Sequence, residues 1–184
     1  MKRFKKIFTI RYILPLSLLL LVGYLLLVSL SNDPSKLPSA LKNKPLPTLT
    51  LKEIFSDRPE SIAQTIQGQV TIINIWSTWC PSCKTEYPLI KKLAKEPHIN
   101  LTSIVYKDSR SRALTWLSKN GNPYQHVWLD EDGSAGIELG IYGTPELFIV
   151  DKQGIVRYRY AGAIRTTTIE NNILPLVGQL LNEQ

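Results

Sequence analysis

Apolar residues along this chain fall into runs of three kinds, and each predicts a different element. The first kind is a single block, Tyr12 to Leu30, without charge and built mostly of Leu, Val and Ile. At about 1.5 Å per residue it spans roughly 28 Å, close to the hydrocarbon core of a bilayer. It predicts one transmembrane helix. It is longer than the apolar part of a cleaved signal peptide, and Ser29-Leu30-Ser31 makes a poor cleavage site, so an uncleaved anchor is expected. The second kind is short and rich in β-branched residues. Val70 to Trp76 reads as a buried central strand, and Leu101 to Tyr106 as another. Leu49 and Leu51 alternate with Thr48 and Thr50 as a candidate first strand, and Tyr124 to Leu129 as a short one. Leu147 to Val150 and Ile155 to Tyr160, joined by Asp151-Lys152-Gln153-Gly154, predict a hairpin. In the third kind, apolar residues recur at three and four. Leu89, Ile90, Leu93 and Ala94 predict one helix face. A second helix carries Ala113, Leu114, Trp116 and Leu117, capped by Asp108 and stopped at Asn120-Gly121. Ser61 to Ile66 predicts a short helix broken at Gly68. Thr167 with Glu170 forms a capping-box signature that opens a last helix, with a kink at Pro175.

Between anchor and domain, the stretch Ser31 to Pro47 holds four prolines and few apolar residues, which suits an extended tether. The expected organisation is a basic tail over 1–11, an anchor over 12–30, a linker over 31–45 and a folded domain over 46–184. Alternating strands and helices followed by a hairpin and a final helix predict an α/β fold, with a central mixed sheet flanked by helices.

Charge changes the picture only once it is partitioned. The formal net charge is +7, but five basic residues lie within the first eleven, and from Asp33 onward 17 Lys and Arg stand against 15 Asp and Glu. The basic balance is therefore mostly a topology signal. By the positive-inside rule it leaves the N-terminus in the cytoplasm and exports the domain, and it gives a nucleic-acid role no support.

Both cysteines, Cys80 and Cys83, stand two residues apart where the Val70 strand hands over to a helix. A bridge across two residues closes too small a loop to constrain the unfolded chain much, so a structural disulfide is a poor reading. Zinc would need two more ligands, and His98 and His126 are neither paired nor spaced for it. Redox chemistry remains. Orphan N–H groups and the positive dipole end at a helix start stabilise a thiolate. Cys80, at the helix start, is expected to be exposed and to attack; Cys83, one turn in, is expected to be shielded and to resolve the mixed disulfide. Other features predict structure rather than chemistry. Asp130-Glu131-Asp132-Gly133 reads as a turn, since it lacks the alternating ligands of a calcium loop. Trp76 reads as core, Trp79 as a shelter for the disulfide, and Arg157 and Arg159 as solvated positions on one face of a strand.

Trp79-Cys80-Pro81-Ser82-Cys83 after a buried strand, with Pro88 five residues further, resembles thioredoxins. Gly140-Ile141-Tyr142-Gly143-Thr144-Pro145-Glu146-Leu147-Phe148 resembles the Gly-Val-Tyr-Gly-Ala-Pro-Glu-Thr-Phe signature of the cytochrome c maturation thioredoxins, the CcmG/DsbE family. Asn74 to Trp79, Tyr106-Lys107-Asp108, Gly121 to Tyr124 and Ile155 to Gly162 are similar to that family's stretches as well, and the match includes the N-terminal anchor. Thr144 and Leu147 depart from it, where Ala and Thr are usual, at positions expected to adjoin the substrate groove.

The resemblance implies a thioredoxin-like fold and a cis Pro145 packed against the cysteine pair. With Thr144 and Tyr142, Pro145 would form a groove that takes an extended substrate by strand addition. It also implies that Glu86 and Glu146 are acidic residues near the disulfide, and that Asn74 stands where ordinary thioredoxins keep a buried Asp. Glu86 would then share in the proton transfers of that site; the plainer reading leaves both glutamates on the surface. The activity implied is a thiol:disulfide oxidoreductase without cofactor, anchored by a single pass in the inner membrane with its domain in the periplasm. Apocytochrome c or a haem-ligation protein would be the substrate, and an inner-membrane thiol carrier the reductant. A general exported reductase, and a tethered apocytochrome-binding module without redox turnover, are the alternatives.

Overall fold

The computed structural model describes residues 2–30 and 41–183, with side chains for 13–29 and 41–183. It divides into two units. The first is a helix, α1 (Lys2–Leu30), which continues through the expected basic tail and contains Pro15. Its large apolar side chains from Ile13 to Val28 are exposed. Among the described residues no helix is long and apolar enough to cross a membrane. Most of the expected tether lies outside the described residues, but its last part is already folded. Asn43 N–H donates to Val156 and Lys44 accepts from it, while Pro45 bridges Ile155.

The second unit is built on β3 (Thr71–Trp76), every residue of which is buried. Strand alternation sends Ile72 and Trp76 to one core and Ile73 and Ile75 to the other. β3 pairs in parallel with β4 (Asn100–Tyr106), which pairs in parallel with β5 (Val127–Asp130). On its other side β3 is antiparallel to β6 (Glu146–Val150), which forms the expected hairpin with β7 (Val156–Ala161). A hairpin of β1 (Thr50–Glu53) and β2 (Pro59–Ser61) completes the order β2-β1-β5-β4-β3-β6-β7. One core lies beneath the long helices α3 (Pro81–Leu93), α4 (Arg110–Asn120) and α7 (Leu174–Asn182). The short helices α2 (Ile62–Thr65) and α5 (Ser134–Glu138) close the other. The sheet is mixed, with helices on both faces, as expected.

Two helix starts differ from expectation. Ser109, not Asp108, caps α4 by accepting the Arg112 N–H, because the Asp108 carboxylate is drawn into another set of bonds. The C-terminal helix begins at α6 (Thr166–Thr168), so Thr167 lies inside it and the capping box does not form. A π-helical turn over Ile169–Ile173 precedes α7, which carries Pro175 in its first turn. Proline donates no N–H and its ring crowds the carbonyl four residues back, and the wider turn gives it room.

Candidate active site

β3 ends at Trp76, and after four intervening residues Pro81 opens α3. A proline at that first position loses no bond, because its N–H would be unpaired there anyway. Cys80 becomes the N-cap, and its Sγ accepts the Cys83 N–H at 3.0 Å. The two cysteines are joined in a disulfide with Cα atoms 5.3 Å apart. Cys80 is 2% exposed and Cys83 4%, which corrects the expectation of an exposed Cys80. Capping folds the first sulfur back over the helix start, so in the oxidised form position on the helix separates the two cysteines and exposure does not.

The approach to the pair is fixed from below. Asp108, fully buried at its side chain, accepts from Thr78 N–H at 2.7 Å, Thr78 Oγ1 at 2.6 Å, Ser109 N–H at 2.8 Å and Arg112 Nε at 2.6 Å. Burial alone pushes such a carboxyl up, but these donors together hold Asp108 below the usual range. Ser77 Oγ donates to the Tyr106 carbonyl, and Trp79 Nε1 to that of Lys107 at 3.0 Å. Trp79 is more than half exposed, with its indole N–H tied down by that bond.

Glu86 follows Cys83 by one turn on the buried face of α3 and is 3% exposed. Its Oε2 accepts the Ile164 N–H at 2.8 Å, and its Oε1 lies 3.4 Å from Asn74 Nδ2. Desolvation raises its pKa to about 7, against the opposing pull of those two bonds. Asn74 Oδ1 in turn accepts the Tyr124 hydroxyl at 2.8 Å, and Nδ2 approaches the Glu146 carbonyl at 3.4 Å. Tyr124 is driven well above the ordinary tyrosine value by burial, then by the charges of Tyr87 and Glu86. Trp76 is core, as expected, and stacks on Tyr124.

The facing wall comes from the loop before β6. In the β3–β6 register Ile75 opposes Glu146, so Pro145 and Thr144 lie at the sheet end where Ser77 to Cys80 begin. The Thr144-Pro145 bond is cis, and the Thr144 hydroxyl is buried without a partner. Tyr142 is exposed. Glu146 is 2% exposed, so the surface reading fails for both glutamates. The Arg159 side chain is buried as well. It pairs with Glu146 through Nε at 2.7 Å and Nη2 at 3.0 Å, which overturns the solvated reading of that arginine. Arg157 is partly buried between Asp151 and Glu183. Period-2 alternation put both arginines on one face, but the carboxylates that draw them in lie on other elements. Leu147 is corrected too. It packs in the core beneath α3, opposite Asn74, and does not line a groove.

A buried Cys-x-x-Cys disulfide at a helix start, near a carboxyl poised near neutrality on the same helix, is equipped for thiol–disulfide exchange. The Redoxin family profile matches residues 41–174. The thiol:disulfide interchange protein DsbE of Pasteurella multocida is 39% identical over 175 residues, covering 92% of this chain and 96% of the relative. The chain belongs to the DsbE family. The DsbE of Escherichia coli is 38% identical over 172 residues, covering 89% of this chain and 91% of that protein. Among solved structures, a secreted thiol-disulfide isomerase from Corynebacterium glutamicum matches with a TM-score of 0.65 at 20% identity, over 80% of this chain and 96% of its own. That likeness speaks for the fold. As a DsbE-family member with a bonded Cys-x-x-Cys pair, the chain is a thiol:disulfide oxidoreductase.

Three residues of this DsbE-family site, Asp108, Tyr124 and Arg159, were given no role in it by the sequence. Tyr106-Lys107-Asp108 and Gly121 to Tyr124 stood within stretches similar to the family, which was the signal available for the first two. Arg159 lay in such a stretch too, Ile155 to Gly162, but strand alternation read it as solvated.

Proposed function

We propose that this DsbE-family oxidoreductase is a single-pass inner-membrane protein, N-terminus in the cytoplasm, whose periplasmic domain reduces disulfides of apocytochrome c or of a haem-ligation partner. The observation that carries the reading is the buried Cys80–Cys83 pair at a helix start, at the same sheet end as the Thr144-Pro145 wall. The uncharged apolar run of α1 supports the anchor, and the five basic residues before it support the orientation.

In the reaction, the Cys80 thiolate attacks one sulfur of the substrate disulfide. The substrate's other sulfur leaves as a thiolate and takes a proton. Cys83 then attacks the Cys80 sulfur, the second substrate thiol departs, and two electrons have passed from protein to substrate. Cys83 must lose its proton for this step. Glu86, one turn away on the same face and titrating near neutrality, is the group we assign to accept it. Glu146, Asn74 and Trp79 shape the surroundings, and Thr144, Pro145 and Tyr142 receive the substrate chain. An inner-membrane thiol carrier returns the pair to the dithiol.

Trapping tests this reading. Cys83→Ser leaves the mixed disulfide unresolved, and mass spectrometry of its adducts in the cell should find apocytochrome c or a haem-ligation protein bonded to Cys80. A broad set of exported proteins would favour a general reductase. No adduct at all would favour a binding module.

A further inference from the structure

Tyr142 and Gly143 lead into the wall at Thr144-Pro145, and a buried carboxylate holds their backbone. Glu146 Oε1 accepts the Tyr142 N–H at 2.7 Å and approaches that of Gly143 at 3.4 Å. Arg159 grips both oxygens of the same carboxylate, with side chains 4% and 2% exposed. Its guanidinium also lies 4.5 Å from the Tyr142 ring centre, and 5.5 Å from that of Phe148. One side chain thus secures the segment twice, through Glu146 to its backbone and through a cation–π contact to the Tyr142 ring. Removing the cation would leave the buried carboxylate without a counter-charge and would free the ring.

We propose that Arg159 is a positioning residue for peptide substrates: it holds residues 142–145 in the shape that receives an extended chain, and so sets the affinity for peptide disulfides without taking part in the exchange. The inference rests on the reading that the Thr144-Pro145 wall receives peptide. Arg159 does not contact the sulfurs through any of its bonds, so the exchange step itself is left to Cys80 and Cys83.

Single-turnover oxidation of the reduced full chain separates these roles. One substrate is bis(2-hydroxyethyl) disulfide, too small to need the wall, and the other is a short peptide carrying a Cys-x-x-Cys-His disulfide. For Arg159→Met the half-saturating peptide concentration should rise roughly tenfold or more, with the maximal rate and the small-disulfide rate kept within about twofold. Arg159→Lys keeps the charge but loses the planar fork, and should raise the half-saturating concentration about threefold; it carries the test if the methionine variant does not fold. Unchanged half-saturation, or a fall of both substrates' rates in equal proportion, would overturn the proposal. A wild-type chain that takes the peptide no better than the small disulfide would instead overturn the reading of the wall, and the inference with it.

Discussion

Glu86 lies in a buried position where its carboxyl titrates at about 7 rather than near 4.5, chiefly through desolvation. The raised value means that the folded state binds this proton more tightly than the unfolded chain. Its contribution to stability is full below about pH 4.5 and lost as pH rises through about 7, a swing of roughly 3 kcal/mol. Glu86→Gln should remove that swing. Urea unfolding followed from acid to neutral pH should show wild type losing ground to the variant over this window, and parallel curves would contradict it. Asp108 has the opposite sign. Its folded pKa is lowered, so its stability contribution is present above the unfolded value and lost as pH falls. Asp108→Ala leaves Thr78 N–H and Oγ1 without their acceptor and should cost about 2–4 kcal/mol, read as a fall in the urea midpoint. The cysteines and both glutamates were legible in the sequence, because a motif carries them. Tyr124, Asp108 and Arg159 were not, because what defines them is a partner 50, 30 or 13 positions away.

At the scale of elements, α3 was readable from its three-and-four period, β3 from its short β-branched run, and the β6–β7 hairpin from two apolar runs joined by a turn. β2 and α5 were not, being too short to show a period. α5 is held instead by a carboxylate: Asp130 accepts the N–H groups of Ala135 and Gly136. That tight start brings Gly136 against β4. A Cβ at position 136 would meet Tyr106 Cε2 at 2.5 Å and Ile141 Cδ1 at 2.9 Å. Gly136→Ala should therefore destabilise the chain by about 1–3 kcal/mol through overpacking. The shift should also reach the site, because the Tyr106 carbonyl accepts from Ser77. Thermal unfolding checks the first effect and exchange rate the second; an unchanged midpoint would show that β4 yields without cost. The C-terminal helix was misread for a local reason. Thr167 and Glu170 have the right spacing for a cap, but the helix had already begun at Thr166.

For the whole molecule, strand–helix–strand alternation gave the parallel run β3-β4-β5, since crossover connections of that kind return to the same sheet. The antiparallel edge of β1 and β2 follows from tertiary pairing that no local signal announces. Partition of charge separated a basic N-terminus from a nearly balanced domain, and from that comes a test of the anchor. The full chain should sediment with membranes and resist alkaline carbonate extraction, whereas a chain beginning at Leu41 should remain in the supernatant; equal behaviour of the two would remove the anchor. The chemistry of the site has a more direct measurement. Reduced Cys83→Ser and Cys80→Ser chains are each mixed with an oxidised Cys-x-x-Cys-His peptide, and their intact masses are recorded. Cys83→Ser should gain the mass of one peptide, bonded to Cys80, while Cys80→Ser gains none and wild type releases reduced peptide and loses two hydrogens. An adduct of equal yield on Cys80→Ser, or none on Cys83→Ser, would contradict the assignment of Cys80 as the attacking sulfur.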